Sequence, residues 1–214
     1  SKMQRICLKL NLRPNDHLVE IGGGWGGLAL HAAGQFGCRV STTTISREQY
    51  RHMNQRVDEA GLSSRVKVLE QDYRDLEGKF DKLVSVEMIE AVGHEYFDTF
   101  FRKSSSLLRP DGMMLMQGIV IKDQFFAAHR HSADFIRQHI FPGGCLPSVT
   151  ALCESMTRAS DLRLTHPEEI SEHYARTLRP WRKPFWPLVG AARERGNTEG
   201  FRRKRENIPP TSRR

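Results

Sequence analysis

Apolar and polar positions in the first 121 residues alternate between short apolar runs and amphipathic stretches. The runs His17–Ile21, Arg39–Thr44, Val66–Leu69, Phe80–Val86 and Met113–Ile121 are too short for buried helices and rich in β-branched residues, so they are predicted as strands one to five. Gln117 is the polar residue within the fifth. Between them lie stretches with helical spacing. Residues 1–13 form one that ends before Pro14, and Leu28–Phe36 stops at Gly37, a natural left-handed cap. Ser46-Arg47-Glu48-Gln49 has capping-box form, with Ser46 as the cap and Gln49 reaching back to it. Tyr50, Met53, Val57 and Ala60 follow on one face. His94–Leu108 carries Phe97, Phe100, Phe101 and Leu108 on one side and is stopped by Pro110-Asp111-Gly112.

This rhythm predicts an α/β fold: a doubly wound, mostly parallel, Rossmann-like sheet whose ligand lies at the carboxyl ends of the strands. Glu20, Thr44, Asp72, Glu87 and Glu90 all fall at such ends. Beyond the fifth strand the rhythm changes. Asp123–Ile140 reads as a long helix, Phe141–Pro147 as a rigid turn, and Ser148 as the cap of a helix bearing Val149, Leu152, Met156 and Ala159. Residues 122–147 are expected to form a helical insertion over the sheet ends, where a substrate cover has to sit.

The most informative stretch is Leu18-Val19-Glu20-Ile21-Gly22-Gly23-Gly24-Trp25-Gly26-Gly27, a strand running into repeated glycines that bring backbone close to a ligand. Gly22, Gly24 and Gly27 satisfy the dinucleotide pattern G-x-G-x-x-G, so spacing alone leaves NAD open. A dinucleotide site places an acid about 20 residues on to hold the ribose, and that place reads Val40-Ser41-Thr42-Thr43-Thr44. Glu20 instead suits a ligand carrying an ammonium and a sulfonium, which favours S-adenosylmethionine.

Length and charge refine this picture. The chain has 214 residues, enough for one α/β domain. Its apolar runs fall short of the roughly 20 residues that span a bilayer, and the start SKMQRICLKL has no signal-peptide pattern, so a cytoplasmic chain is expected. Cys7, Cys38, Cys145 and Cys153 form no C-x-x-C pair and no zinc spacing, which points to reduced structural thiols and no metal. The net charge of +8 is uneven: twelve of the 33 Lys/Arg but three of the 25 Asp/Glu lie from Arg176 on, leaving a near-neutral body. Residues 1–181 are expected to form the domain and 182–214 a basic, mobile tail suited to peripheral contact with an anionic membrane at the inner membrane surface, with no nucleic-acid partner expected.

Several stretches together, VEIGGGWGGLALHAA, TTTISREQY, QDYRDLEGKFDKLVSVEMIEAVGHEYFDTFF, SSLLRPDGMMLMQGI, ADFIRQHIFPGGCLPS and HYARTLRPW, resemble the cyclopropane-fatty-acyl-phospholipid synthase family, including the mycolic acid cyclopropane synthases. The resemblance implies a class I methyltransferase fold and methyl transfer from S-adenosylmethionine to a cis double bond of an unsaturated phospholipid acyl chain. It implies bicarbonate as the base, held by Glu90 and Tyr174. The family's strand-five His falls at Gln117, which can orient but cannot carry a proton as imidazole does.

Around the donor the resemblance implies Glu20, Gly22 and Gly24 at the methionine end with Trp25 and Gly26 in the same turn. Thr44 and Gln49 lie towards the ribose, and Asp72 with Tyr73 towards the adenine. Gly23 replaces the usual Cys or Thr, which is expected to loosen the loop without removing its N–H donors. The family's upstream segment has no match, and its pattern is lost after Trp181, so the chain as given is expected to bind donor but turn over poorly. Competing readings are a donor-binding remnant and a methyltransferase for a small polar acceptor.

Overall fold

The computed structural model describes residues 1–132 and 143–171. Its framework is β1 (His17–Ile21), β2 (Arg39–Thr44), β3 (Val66–Glu70), β4 (Phe80–Val86) and β5 (Leu108–Gln117). All pair in parallel in the order β3-β2-β1-β4-β5. The helices are α1 (Lys2–Lys9), α2 (Gly27–Phe36), α3 (Arg47–Glu59), α4 (Ile89–Val92), α5 (Phe97–Leu107), α6 (Asp123–His131) and α7 (Val149–Ala159). The chain winds outward from β1 in both directions, which opens a crevice beyond the carboxyl ends of β1 and β4.

Two apolar layers hold the sheet. On one face Leu18, Val40, Val66, Val68 and Val84 meet Ala29, Ala32 and Ala33 of α2, Met53 and Val57 of α3, and Ile6 and Leu10 at α1. On the other, Val19, Ile21, Phe80 and Leu83 meet Ile89, Phe97, Phe100, Phe101 and Leu107, with Leu152 of α7. Because side chains alternate along a strand, the parity of Leu18 places Glu20 in the first layer. The same parity places Thr42 there through Val40 of β2.

Several expectations are corrected. The first helix ends at Lys9, because Asn11 takes a left-handed conformation with φ 49° before Pro14. The fifth strand begins at Leu108 and ends at Gln117. Arg109–Gly112 are drawn into it across an irregularity between the Phe80 and Lys82 pairings, so Pro110-Asp111-Gly112 bulges rather than turns. The helix from Asp123 stops at His131, where Ser132 is extended; residues 133–142 lie outside the described part. His94–Tyr96 form a separate single 3-10 turn before α5.

α7 is tied to α5 by a polar clamp. Arg158 donates from Nε and Nη2 to the two oxygens of Asp98 at 2.8 and 2.6 Å, and Ser155 Oγ donates to the same carboxylate. The Arg158 hydrogen bonds hold the Asp98 carboxyl down at about 2. A depressed carboxyl stabilises the fold above its ordinary pKa near 3.9 and loses that contribution as pH falls towards 2. Asp98→Asn is therefore expected to flatten the fall in melting temperature between pH 4 and 2. Its effect at pH 7 should stay within about 1 kcal/mol, because the pair is largely solvated.

Candidate functional site at the carboxyl ends of β1 and β4

β1 feeds directly into the glycine turn, in which Gly22, Gly24 and Gly26 have φ of 83°, 55° and 80°. These left-handed conformations are strained for any residue with a Cβ. Open space lies where a Cβ on Gly24 would point, the exposure a backbone cradle needs. Gly23 departs from the expected loosening. Its N–H donates to the Thr43 carbonyl at 2.9 Å and its carbonyl accepts from Gly26 N, so the turn is pinned to β2 and this N–H is already engaged. Trp25 is an exposed indole, edge-on to His52 of α3 at 5.3 Å, with its carbonyl held by Arg56.

Every buried hydroxyl of β2 has a partner. Ser41 bonds the His17 ring, Thr42 donates to Glu20, Thr43 to the Gln71 carbonyl, and Thr44 to Gln49 Oε1. The anticipated capping box is half realised: Ser46 Oγ accepts from Gln49 N–H, but the Ser46 N–H is satisfied by Thr44 Oγ1 while the Gln49 side chain turns to Thr44. Thr44 and Gln49 thus form one unit at the edge of the glycine turn. Asp72, just past β3, caps a single 3-10 turn and takes a forked contact from Arg74, whose hydrogen bonds lower its pKa. Tyr73 beside it is half-buried, edge-on to Phe100 at 5.7 Å.

Glu20 is buried at 4% exposure. Its Oε2 accepts from Thr42 Oγ1 at 2.7 Å, and burial pushes its carboxyl up to about 7. A carboxyl raised in the folded state binds a proton that the unfolded chain has already lost. It costs nothing below the unfolded value near 4.3, and stability declines as pH rises from there to about 7. Glu20→Gln, which removes the buried charge, is expected to gain in melting temperature relative to the parent as pH is raised from 5 to 8 without ligand. A constant difference across that range would contradict this account.

A second cluster lies at the carboxyl ends of β4 and β5, joined to the first by Met88, whose side chain packs under Gly22. Glu90, one turn past β4 in α4, accepts from Ile119 N–H through Oε1; its Oε2 is buried without a hydrogen-bond partner. Burial, with a contribution from the Glu87 charge, raises its pKa. The Glu90 carbonyl accepts from Cys145 N–H at 2.8 Å and Ile121 N–H donates to the Pro147 carbonyl at 2.8 Å. These bonds bring residues 145–147 to this end of the sheet.

Gln117 is bonded to Glu87. Its Nε2 donates to Glu87 Oε1 at 2.9 Å, where Lys2 Nζ also donates at 2.8 Å. Glu87 has a left-handed φ of 51°, and these two donors outweigh its burial and lower its pKa. The pairing of Glu87 with Lys2 and Gln117 was missed from sequence, because residues 85 positions apart carry no local signal. Tyr174 lies outside the described residues. Cys7, Cys38 and Cys145 are buried cysteines, and burial holds the thiols of the first two up at about 11. Among the described residues no helix is long and apolar enough to cross a membrane.

The comparison with known proteins agrees with this architecture. The chain is 38% identical over 202 residues to a tuberculostearic acid methyltransferase of Mycobacterium tuberculosis, covering 94% of this chain and 47% of that protein. It is 37% identical over 192 residues to the cyclopropane-fatty-acyl-phospholipid synthase of Escherichia coli K12, covering 88% and 48%. The chain thus spans about half the length of the curated relatives it matches. Among solved structures, the mycolic acid cyclopropane synthase CmaA1 complexed with SAH and CTAB superposes with a TM-score of 0.83 at 28% identity, over 94% of this chain and 74% of that one. The cyclopropane synthase MmaA2 of Mycobacterium tuberculosis gives 0.84 at 27%, with the same coverage. The family profile of mycolic acid cyclopropane synthetase matches residues 1–202, and with the sheet order of a class I methyltransferase this chain belongs to that family.

Proposed function

We propose that the chain is the core of an S-adenosylmethionine-dependent enzyme that alkylates a cis double bond in an unsaturated phospholipid acyl chain, forming a cyclopropane. The observation that carries this reading is Glu90, whose half-buried carboxyl keeps one oxygen unpartnered at the carboxyl ends of β4 and β5. A buried acceptor without a partner costs about 1–3 kcal/mol unless a ligand satisfies it.

The glycine turn, with open space at Gly24 and Thr44–Gln49 at its edge, fits the methyl donor. Glu20 balances the donor's positive charge from beneath the turn, and Asp72 and Tyr73 flank the far end. In the reaction the alkene electron pair attacks the sulfonium methyl, the C–S bond breaks to a neutral thioether, and the resulting cation closes a ring as a proton leaves the transferred carbon. The protein's task is to align the alkene, keep water away and take up that proton. Bicarbonate would supply the base at Glu90; the unpartnered Oε2, with a proton favoured there by burial, fits an anion with lone pairs to offer. Gln117 and Lys2 hold Glu87 ionised beside it.

The resemblance of the chain to a tuberculostearic acid methyltransferase favours a second reading, methyl branching of the same acyl chain. Both readings share the alkylation and differ in how the cation is quenched. Incubation with labelled methyl donor and anionic vesicles of unsaturated phospholipid, followed by mass and chromatographic identification of the lipid, tests them together. A cyclopropane product supports the first and a branched product the second. Label in a polar small molecule and none in lipid overturns both.

A further inference from the structure

Gly22, Gly24 and Gly26 are explained by left-handed backbone, but Gly23 is not, since its φ lies outside that region. Space explains it instead. A Cβ built on Gly23 would stand 2.0 Å from Thr42 Oγ1, an impossible contact, while the next atoms, Glu20 Oε2 and Met53 Sδ, lie at 3.2 and 3.3 Å. The severe clash is therefore with one hydroxyl, while Glu20 and Met53 would have to give only by a few tenths of an ångström. The turn cannot lift away cheaply, because Gly23 is bonded through its N–H to Thr43 and through its carbonyl to Gly26. Thr42 is itself wholly buried, faces Glu20 in strand register, and donates to Glu20 Oε2 at 2.7 Å.

We propose that Thr42 is a positioning residue of the donor site, forming with Gly23 a size-matched pair in which the Thr42 hydroxyl occupies the volume of the missing side chain and fixes the Glu20 carboxylate under the glycine turn. The binding part of this inference rests on the donor reading above; the steric part stands independently of it. A buried carboxylate with a single side-chain hydrogen bond is sensitive to losing it. The groups packed around Glu20 are otherwise neutral. Val84 is its register neighbour on β4 and Met53 lies close by in α3. The Cys7 thiol of α1, which interacts with Glu20, stays protonated across the range used below because burial holds it up at about 11.

The geometry also defines a swap. Since a Cβ at position 23 would stand 3.2 Å from Glu20 Oε2, a serine there could supply the hydroxyl that Thr42 gives, once the Thr42 hydroxyl is removed. Four chains decide the matter: the parent, Gly23→Ser, Thr42→Ala and the double variant. Each is followed by thermal unfolding without ligand and by calorimetric titration with S-adenosylhomocysteine. Gly23→Ser alone is expected to lower the melting temperature and weaken binding at least about tenfold, and the double variant to recover most of both, the non-additivity that contacting residues show.

Thr42→Val keeps the shape and loses the hydroxyl. It is expected to weaken binding by about tenfold near pH 6.5, the scale of one charge-assisted hydrogen bond, with the deficit narrowing towards pH 8.5 as Glu20 is forced to ionise. A purely structural role would lower the melting temperature and leave that pH profile unchanged. Additive unfolding effects in the four-chain cycle, or Thr42→Val binding as the parent does at every pH, overturns the proposal. Failure of the folded parent to bind S-adenosylhomocysteine removes the donor reading and with it the positioning role, while the unfolding cycle still judges the steric pair.

Discussion

Replacing Glu90 by Gln is expected to slow lipid alkylation by about 100-fold or more while leaving donor affinity within about twofold, measured in the protein extended to the length of its relatives. The glycine turn follows β1, and Glu90 sits a helical turn beyond β4, with Met88 packed against Gly22. The amide of a glutamine preserves the bond from Ile119 N–H to Oε1. What it removes is the titratable oxygen, the one that is buried without a partner and whose proton is favoured by burial. Rapid-mix turnover and calorimetry separate the two effects. Turnover unchanged in this variant would make Glu90 a tie between α4 and the backbone at Ile119 just past β5, and would move the search for the proton-handling group to Glu87.

Phe100→Ala should destabilise the fold by about 3–5 kcal/mol, the range for emptying a large buried aromatic site. Phe100 has no exposed surface and lies among Val19, Leu83 and Ile89 of the second apolar layer. It is also the edge-on neighbour of Phe101 at 5.5 Å and of Tyr73 at 5.7 Å. For a domain of this size the loss corresponds to a melting-temperature drop of roughly 10 °C. Because Tyr73 follows Asp72 at the end of the β3 loop, the cavity should also loosen the proposed adenine side of the donor site. A denaturant midpoint shift with unchanged slope, together with weaker S-adenosylhomocysteine binding, is the expected pair of results. A midpoint within 1 kcal/mol of the parent would mean that α5 collapses onto the sheet without loss.

The limits of β1, β2 and β4 were legible in the sequence to the residue, as were the Gly37 stop and the Ser46 and Ser148 caps. These features are local: a strand buried in a parallel sheet favours a short run of apolar and β-branched residues, and a helix end is satisfied by side chains within a few positions. The glycine turn was legible for the same reason, since successive left-handed residues in one short turn favour glycine. The resemblance brought out Glu90 and Gln117 together; in the structure Gln117 donates to Glu87, and one oxygen of Glu90 is left without a partner.

The rest depended on which strand lies beside which. The fifth strand gained Leu108–Gly112 because Leu108 pairs with Phe80 of β4 and carries the bulged residues 109–112 with it, something absent from its own pattern. Lys2 reached Glu87 across a distance in the chain that no periodicity spans, and Thr44, at the end of β2, took over half of a capping box from Gln49. Glu20 was visible as an acid before the glycines, but its burial and its bond to Thr42 follow from the register of β1 on β2. Register fixes which side chains share a layer, and it is set by the packing of both layers at once. The sequence by itself therefore determined the elements and the kind of ligand turn, while the tertiary structure alone decided which polar groups were buried together and so which of them could act.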